Sequence, residues 1–306
     1  MIPRFPLRPF ISSVAFATVV IGFHPICFAQ KTLAWKFKRD GVTNLLIEQN
    51  TSMQLEIAGG AAAANQTQTN QTTNITWTVK DVSLDGVATI EQMINRVQLD
   101  LKSAAGNFLI DTKNDVPLSG LAESMAKGIR PLANAKFSVK TKSSGEVMEV
   151  LIPEEVSKTL NELGTAGLRE IAANASLTFP TKPIDVGESW PTQYELVMPP
   201  FGNLIISTTY QYLGEEMVGG KLLDKIKATT AVKVADATAN SGLKMKSQES
   251  GGLIWFDNTR GSIDHSEFNQ EMSMNVLRPN SDPSKPGLDM KQIMKQSMKL
   301  KYSPQL

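Results

Sequence analysis

Apolar and polar residues alternate with period two along most of this chain, which is the signature of strands with one buried face. Leu33, Trp35 and Phe37 alternate with Lys36 and Lys38, and Met53, Leu55 and Ile57 with Gln54 and Glu56. Ile75, Trp77 and Val79 follow, then Val97, Leu99 and Leu101, with Gln98, Asp100 and Lys102 facing away. The pattern returns at Phe137 and Val139, from Leu204 through Ile206, Tyr210 and Tyr212, and from Ile226 through Val232 and Val234. Asp40-Gly41, Asp85-Gly86, Ser144-Gly145 and Gly219-Gly220 punctuate these runs with residues that accept the positive φ of tight hairpin turns. Helical periodicity does not intervene between most strands, so antiparallel hairpins explain the chain better than parallel crossovers.

Two stretches read as helices, at about 119–134 and 153–175. Ser119 is placed to cap the first, which carries Leu121, Met125 and Ile129 on one side and stops by Pro131. Pro153, Glu154 and Glu155 suit the first turn of the second, which Gly164 and Gly167 weaken. Pro180 to Gly187 is a stiff connection, while the polar low-complexity run 59–74 and the proline-rich run 278–287 read as loops. Met294, Met298, Leu300 and Tyr302 fit a last strand better than a helix. The expected fold is therefore α+β, a large curved antiparallel sheet with both helices packed against its concave side. Residues 30–306 would form one β-rich domain. A glycine five residues before an aspartate recurs at Gly106–Asp111 and Gly252–Asp257, which raises a finer division into related halves, 30–178 and 179–306.

The first 29 residues change the picture. Arg4 and Arg8 precede an uncharged apolar run from Phe10 to Phe23, and Ala29 supplies a small residue at a cleavage point, as in a secretory signal peptide. The run is shorter than the ~20 residues that cross a bilayer as a helix, and no later segment is apolar enough to be one. Cleavage near Ala29 would make the protein periplasmic or extracellular and would remove Cys27, the single cysteine, and His24, one of two histidines. Cys27 follows His24-Pro25-Ile26, a poor site for lipid attachment. The mature chain then has no disulfide and no thiolate for a metal, so packing must hold it. With 31 Lys and Arg against 30 Asp and Glu, and no basic stripe, the charge gives no reason to expect nucleic acid.

Catalytic vocabulary is sparse. Gly214 to Lys221 departs from a phosphate loop by one residue, and Leu222 replaces the hydroxyl side chain that would hold magnesium. A single remaining histidine, His265, makes a zinc site or a hydrolytic triad improbable, since Asp264 and Ser266 as strand neighbours should face away from it. Asp111 and Asp257 as paired carboxylates would need to face each other across a cleft, whereas each follows an apolar strand where aspartate is ordinary turn chemistry. No catalytic residue, metal ligand or cofactor is assigned. Trp77, Tyr210, Tyr212 and Trp255 are the candidate lining of an apolar ligand cavity, with core filling as the plainer alternative. The methionines from Met272 onward fit either a soft core or an adaptable apolar surface.

Leu33-Ala-Trp35-Lys36-Phe37-Lys38, Trp77-x-Val79, Gly187-Glu188-Ser189-Trp190, Tyr210-x-Tyr212-x-Gly214 and Phe256-Asp257-x-x-x-Gly261 together resemble an uncharacterised family of exported bacterial proteins. The resemblance implies an envelope protein and brings no activity or catalytic residues. The functional expectation is an exported, non-enzymatic binding protein for an apolar ligand such as a lipid or acyl group. A structural or protein-interaction module of the envelope is the alternative, and a hydrolase the third option.

Overall fold

The computed structural model describes residues 30–57, 65–104, 106–114, 116–158, 177–198, 202–234, 243–278 and 288–304, with residues 165, 169 and 172 between them. Twelve antiparallel strands make one sheet. They are β1 (Val42–Ile57), β2 (Asn65–Val82), β3 (Ala88–Ser103), β4 (Gly106–Asp111), β5 (Lys136–Thr141), β6 (Val147–Leu151), β7 (Ser189–Met198), β8 (Gly202–Val218), β9 (Lys221–Val234), β10 (Leu243–Asp257), β11 (Ser262–Arg278) and β12 (Leu288–Pro304). Their spatial order is β6-β5-β3-β2-β1-β12-β11-β10-β9-β8-β7, with β4 beside β3. Two meanders, β1–β6 and β7–β12, thus meet where the first strand pairs with the last, Leu45 opposite Tyr302 and Met53 opposite Met294.

The α+β expectation is corrected. The described helical segments are α1 (Gly120–Ile129), the 3-10 turn Arg130–Leu132, residues 154–158 and the isolated positions 165, 169 and 172. Strands such as β2 and β8 run 18 and 17 residues, far beyond their apolar alternation. A polar strand segment shows no such signal, although its backbone still bonds both neighbours. The run read as a loop shows this, because β2 begins at Asn65 and takes in Thr67, Thr69 and Thr73, whose branched side chains suit a pleated surface. Of that run, residues 59–64 lie outside the described residues, as does 279–287 of the second expected loop.

One end of the sheet carries the tight turns β2–β3, β5–β6, β8–β9 and β10–β11, and the core lies there. Gly86, Gly145, Gly219 and Gly220 take the expected positive φ, whereas at Asp40-Gly41 it is Asp40 that does so, at 62°. Leu33 and Trp35 are buried as their alternation requires, but residues 32–38 are an extended strap with no sheet partner. Its amides reach across turns, Trp35 N to Ser143 O at 2.8 Å and Lys36 N to Gly261 O at 3.0 Å. Gly145 admits this crossing, since a Cβ there would stand 2.0 Å from the Leu177 carbonyl oxygen and 2.7 Å from Trp35 Nε1.

The connector between β6 and β7 shows that the sheet curls. Phe179 N donates to Ser144 O beside β5, and Gly187 N donates to Tyr212 O on β8. Between those anchors the chain spans at most roughly 28 Å, whereas eight inter-strand steps of a flat sheet cover about 38 Å. The closed end holds Trp35 at the centre of an aromatic cluster, with Phe37, Trp77 and Phe256 at ring-centroid distances of 6.2, 6.5 and 5.7 Å. Side chains from β1, β2 and β7 to β12 all enter that cluster, so the face they share is the concave one.

Candidate ligand-binding face

Register assigns each strand position to the concave or the convex face. Leu45, Ile75 and Tyr302 stand abreast and point into the core, so Ile47, Gln49, Thr51 and Met53 on β1 alternate onto the same face. Carried through the ladders, that face receives Phe268, Gln270 and Met272 from β11, Gln296 and Met298 from β12, and Thr208 and Ile206 from β8. From β7 through β12 to β1 and β2, the described side chains that register places on this face beyond the closed end include no charged residue; Lys246 is the extra residue of a bulge in β10, so register assigns it to neither face. The charges sit opposite: Lys295 pairs with Glu271 at 3.1 Å and Lys299 with Glu267 at 3.1 Å, all on the convex face.

The concave face divides into bands. At the closed end lies the aromatic core. Next comes a belt of uncharged polar side chains in register, Thr51 beside Gln296, Gln296 beside Gln270, Gln270 beside Ser250, and Thr208 beside Thr230 and Thr192. Thr208 and Thr230 hydroxyls bond at 2.9 Å. Beyond it runs an apolar row, Met53 beside Met294, Met294 beside Met272, then Val232 beside Ile206 and Ile206 beside Tyr194. These side chains are half-buried rather than enclosed. A pocket of about 260 Å³ opens here, lined by Tyr194, Ile206, Val232, Phe268 and Met298 together with belt residues. A larger groove of about 980 Å³ lies mainly over the convex face among Asn50, Asn70, Glu249, Asn269, Glu271 and Lys295, a setting without aromatic contact area.

The pocket adjoins a split in the sheet. β9 and β10 pair only from Phe256 opposite Asp224 to Gly251 opposite Thr229. Past that point the amide of Gln248 stands in for the missing strand, donating to Thr230 O at 3.1 Å and accepting from Val232 N at 2.6 Å. Both backbone groups are thereby satisfied without a ladder.

The structure brings three of the four sequence-derived candidates together. Trp77, Tyr210 and Tyr212 all join the closed-end cluster, where Trp77 meets Tyr302 edge-on at 5.6 Å and Tyr210 stacks on Trp190 at 5.7 Å. The Trp77 Nε1 is buried with no hydrogen-bond partner. Burial pushes the Tyr210 hydroxyl pKa up, against its hydrogen bond with Thr192. Tyr212 donates to Asp224 Oδ1 at 2.7 Å, and burial with that carboxylate pushes its pKa far up. Lys31, immediately before the strap, completes the network at 2.8 Å from Asp224 Oδ1 and in contact with Glu215.

Trp255 stands apart from them. It pairs with Lys225 and His265 on the convex face, stacked on the His265 ring at 4.4 Å and under Lys225 Nζ at 5.5 Å. Its Nε1 donates to Glu216 Oε2 at 2.5 Å. Asp264, contrary to strict alternation, does reach His265 Nδ1 at 2.9 Å. The cause is a bulge: Trp255 faces His265 and Phe256 faces Ile263, which leaves Asp264 over and turns its side chain toward its neighbour. Burial raises the Asp264 pKa, but bonds with His265 and Lys221 outweigh that and hold it low. Asp111 and Asp257 lie on opposite wings, the former bonded to Arg96 Nε at 2.9 Å, the latter accepting from Arg260 N at 2.9 Å. The methionines of the row were legible as apolar positions at Met53 and from Met272 onward, whereas the belt escaped sequence reading, since only the strand order sets Thr51, Gln296, Gln270 and Ser250 abreast.

No protein-family model and no curated protein matches the sequence. Among solved structures, lipovitellin matches with a TM-score of 0.52 and 14% identity over 88% of this chain and 26% of that one. The chain thus spans about a quarter of lipovitellin's length, and the likeness concerns the fold alone. A putative exported protein of Bacteroides fragilis with a YmcC-like fold aligns at a TM-score of 0.23 and 10% identity, over 86% of this chain and 97% of the other. An outer-membrane channel of Pseudomonas putida F1 aligns at 0.24 and 9% identity, over 87% and 97%. Neither of these two reaches the similarity that would define a shared fold. No described helix is long and apolar enough to cross a membrane, which says nothing of strands.

Proposed function

We propose that this chain is an exported, non-catalytic binding protein that holds an apolar ligand, an acyl chain of a lipid or envelope component, on its concave face. The observation that carries the reading is the separation of charge between the faces. An open sheet in water has no need to clear one side of charges unless that side is to be covered, and half-buried methionine, isoleucine and tyrosine side chains offer soft apolar contact. Lipovitellin, whose structure concerns lipid–protein interactions, shares this fold, and its precedent points the same way.

The test is uptake of a hydrophobic fluorophore such as diphenylhexatriene by the mature chain, compared with Met294→Glu. A carboxylate on this row opposes burial of an apolar molecule, so the variant should bind at least about tenfold more weakly while its circular dichroism is unchanged. Equal uptake by both would refute the assignment to this face. The interaction-module alternative rests on the open edges β6 and β7. Pro191 within β7 takes a donor from that edge and discourages strand addition there.

A further inference from the structure

From the uncharged belt we infer the polar character of the ligand: it is an amphiphile whose polar part is neutral and hydrogen-bonding, such as an acylglycerol, and not a carboxylate or phosphate lipid. This rests on the proposed apolar-ligand reading and goes beyond it. Thr51, Gln296, Gln270 and Ser250 lie in adjoining register between the dry aromatic core and the Met53–Met294–Met272 row, and Thr230 stands on β9 just past the last pair that strand makes with β10. Thr230 bonds Thr208, Gln270 Nε2 donates to Met272 Sδ and Thr51 accepts from Gln49, but had the face evolved for hydrocarbon alone, the amide of Gln296, the carbonyl of Gln270 and the hydroxyl of Ser250 would stand against it unbonded, at a desolvation cost for each. Glycerol hydroxyls and ester carbonyls supply both acceptors for the glutamine amides and donors for their oxygens.

Among the described residues, the belt offers an anionic head no counter-charge. The nearest lysines along β12, Lys295 and Lys299, alternate onto the convex face and are engaged by Glu271 and Glu267. A carboxylate brought to the belt would lose water without gaining an ion pair. The pocket places the two chemistries side by side, since Thr230, Ser250, Gln270 and Gln296 share its wall with Ile206, Val232 and Met298. A ligand seated there would set its head on the belt and its chain along the methionine row.

The experiment displaces diphenylhexatriene from the mature chain with monoolein or with oleate, in alkaline buffer and below the aggregation threshold of each. The wild type should bind monoolein at least about tenfold more tightly than oleate, because the charged head is desolvated without a partner. The triple variant Thr230→Val, Gln270→Leu, Gln296→Leu should keep the circular dichroism and cooperative urea unfolding of the wild type but lose most of its affinity for monoolein in direct calorimetric titration, which isolates the belt. Oleate binding as tightly as monoolein, or a triple variant with undiminished monoolein affinity, would overturn the inference and leave the apolar-ligand reading standing. Failure of the wild type to take up even the fluorophore would overturn both.

Discussion

Replacing Lys31 with methionine tests how the strap is fastened to the sheet. Asp224 is 2% exposed and holds two hydrogen-bonding partners on one oxygen, the Tyr212 hydroxyl at 2.7 Å and the Lys31 ammonium at 2.8 Å. Removing one member of a buried pair costs about 3–5 kcal/mol when the other is left charged and alone. Here the Tyr212 hydroxyl remains, and the Lys31 side chain is 25% exposed, so its charge is partly solvated. The expected loss is then about 2–3 kcal/mol, or a melting temperature lower by about 4–10 °C. Urea unfolding followed by tryptophan fluorescence reads it, and adding Asp224→Asn should recover part of the loss because the orphaned charge goes too. The pH dependence has a definite sign. Burial lowers the Lys31 pKa, but its bonds to Asp224 and Glu215 prevail and raise it above 10.5. A raised folded-state pKa stabilises fully below the unfolded value and is lost as pH climbs through the folded one. The gap between wild type and variant should therefore narrow only in strongly alkaline solution. A Lys31→Met protein within about 0.5 kcal/mol of wild type at neutral pH would refute this view of the strap.

Other perturbations read other parts of the molecule. Gly145→Ala should lose about 3 kcal/mol or more in urea unfolding, because its Cβ overlaps the Leu177 carbonyl and disturbs the 2.9 Å bond from Trp35 Nε1. Trp35→Phe should cost about 2 kcal/mol more than Trp77→Phe, since only the first gives up an indole hydrogen bond and leaves a carbonyl unpaired. Hydrogen bonds from Arg96, which outweigh burial, hold the Asp111 pKa below its usual value, so its stabilisation is present above about pH 4 and fades as pH falls through the folded value. Asp111→Asn should therefore be less stable than wild type at neutral pH and converge with it in acid titrations monitored by circular dichroism.

Much of the sheet was legible in the sequence because period two survives wherever one face is packed. Val97, Leu99 and Leu101, or Tyr210 and Tyr212, announce strands, and Gly86, Gly145 and Gly219-Gly220 announce turns whose positive φ the fold confirms. The strap kept the alternation of a strand while lying outside the ladder, because extended chain alternates whether or not it pairs. Polar strand segments such as Asn65–Asn74 were illegible for the opposite reason, having partners but no apolar face to pattern them, so that even buried Thr73 gives no signal. At the candidate site, aromatic identity drew attention to Trp77, Tyr210, Tyr212 and Trp255, yet facing depends on register. The odd residue at a bulge decides it locally, as Asp264 shows. The charge-free face is a property of eight strands taken together, and only the spatial order reveals it.

Native mass spectrometry of the protein, recovered by gentle extraction from its native cells, tests the central claim most directly. The account predicts a bound species that carries acyl chains, released by Met294→Glu. Repeated recovery of an empty protein that also fails to take up a hydrophobic fluorophore would contradict it.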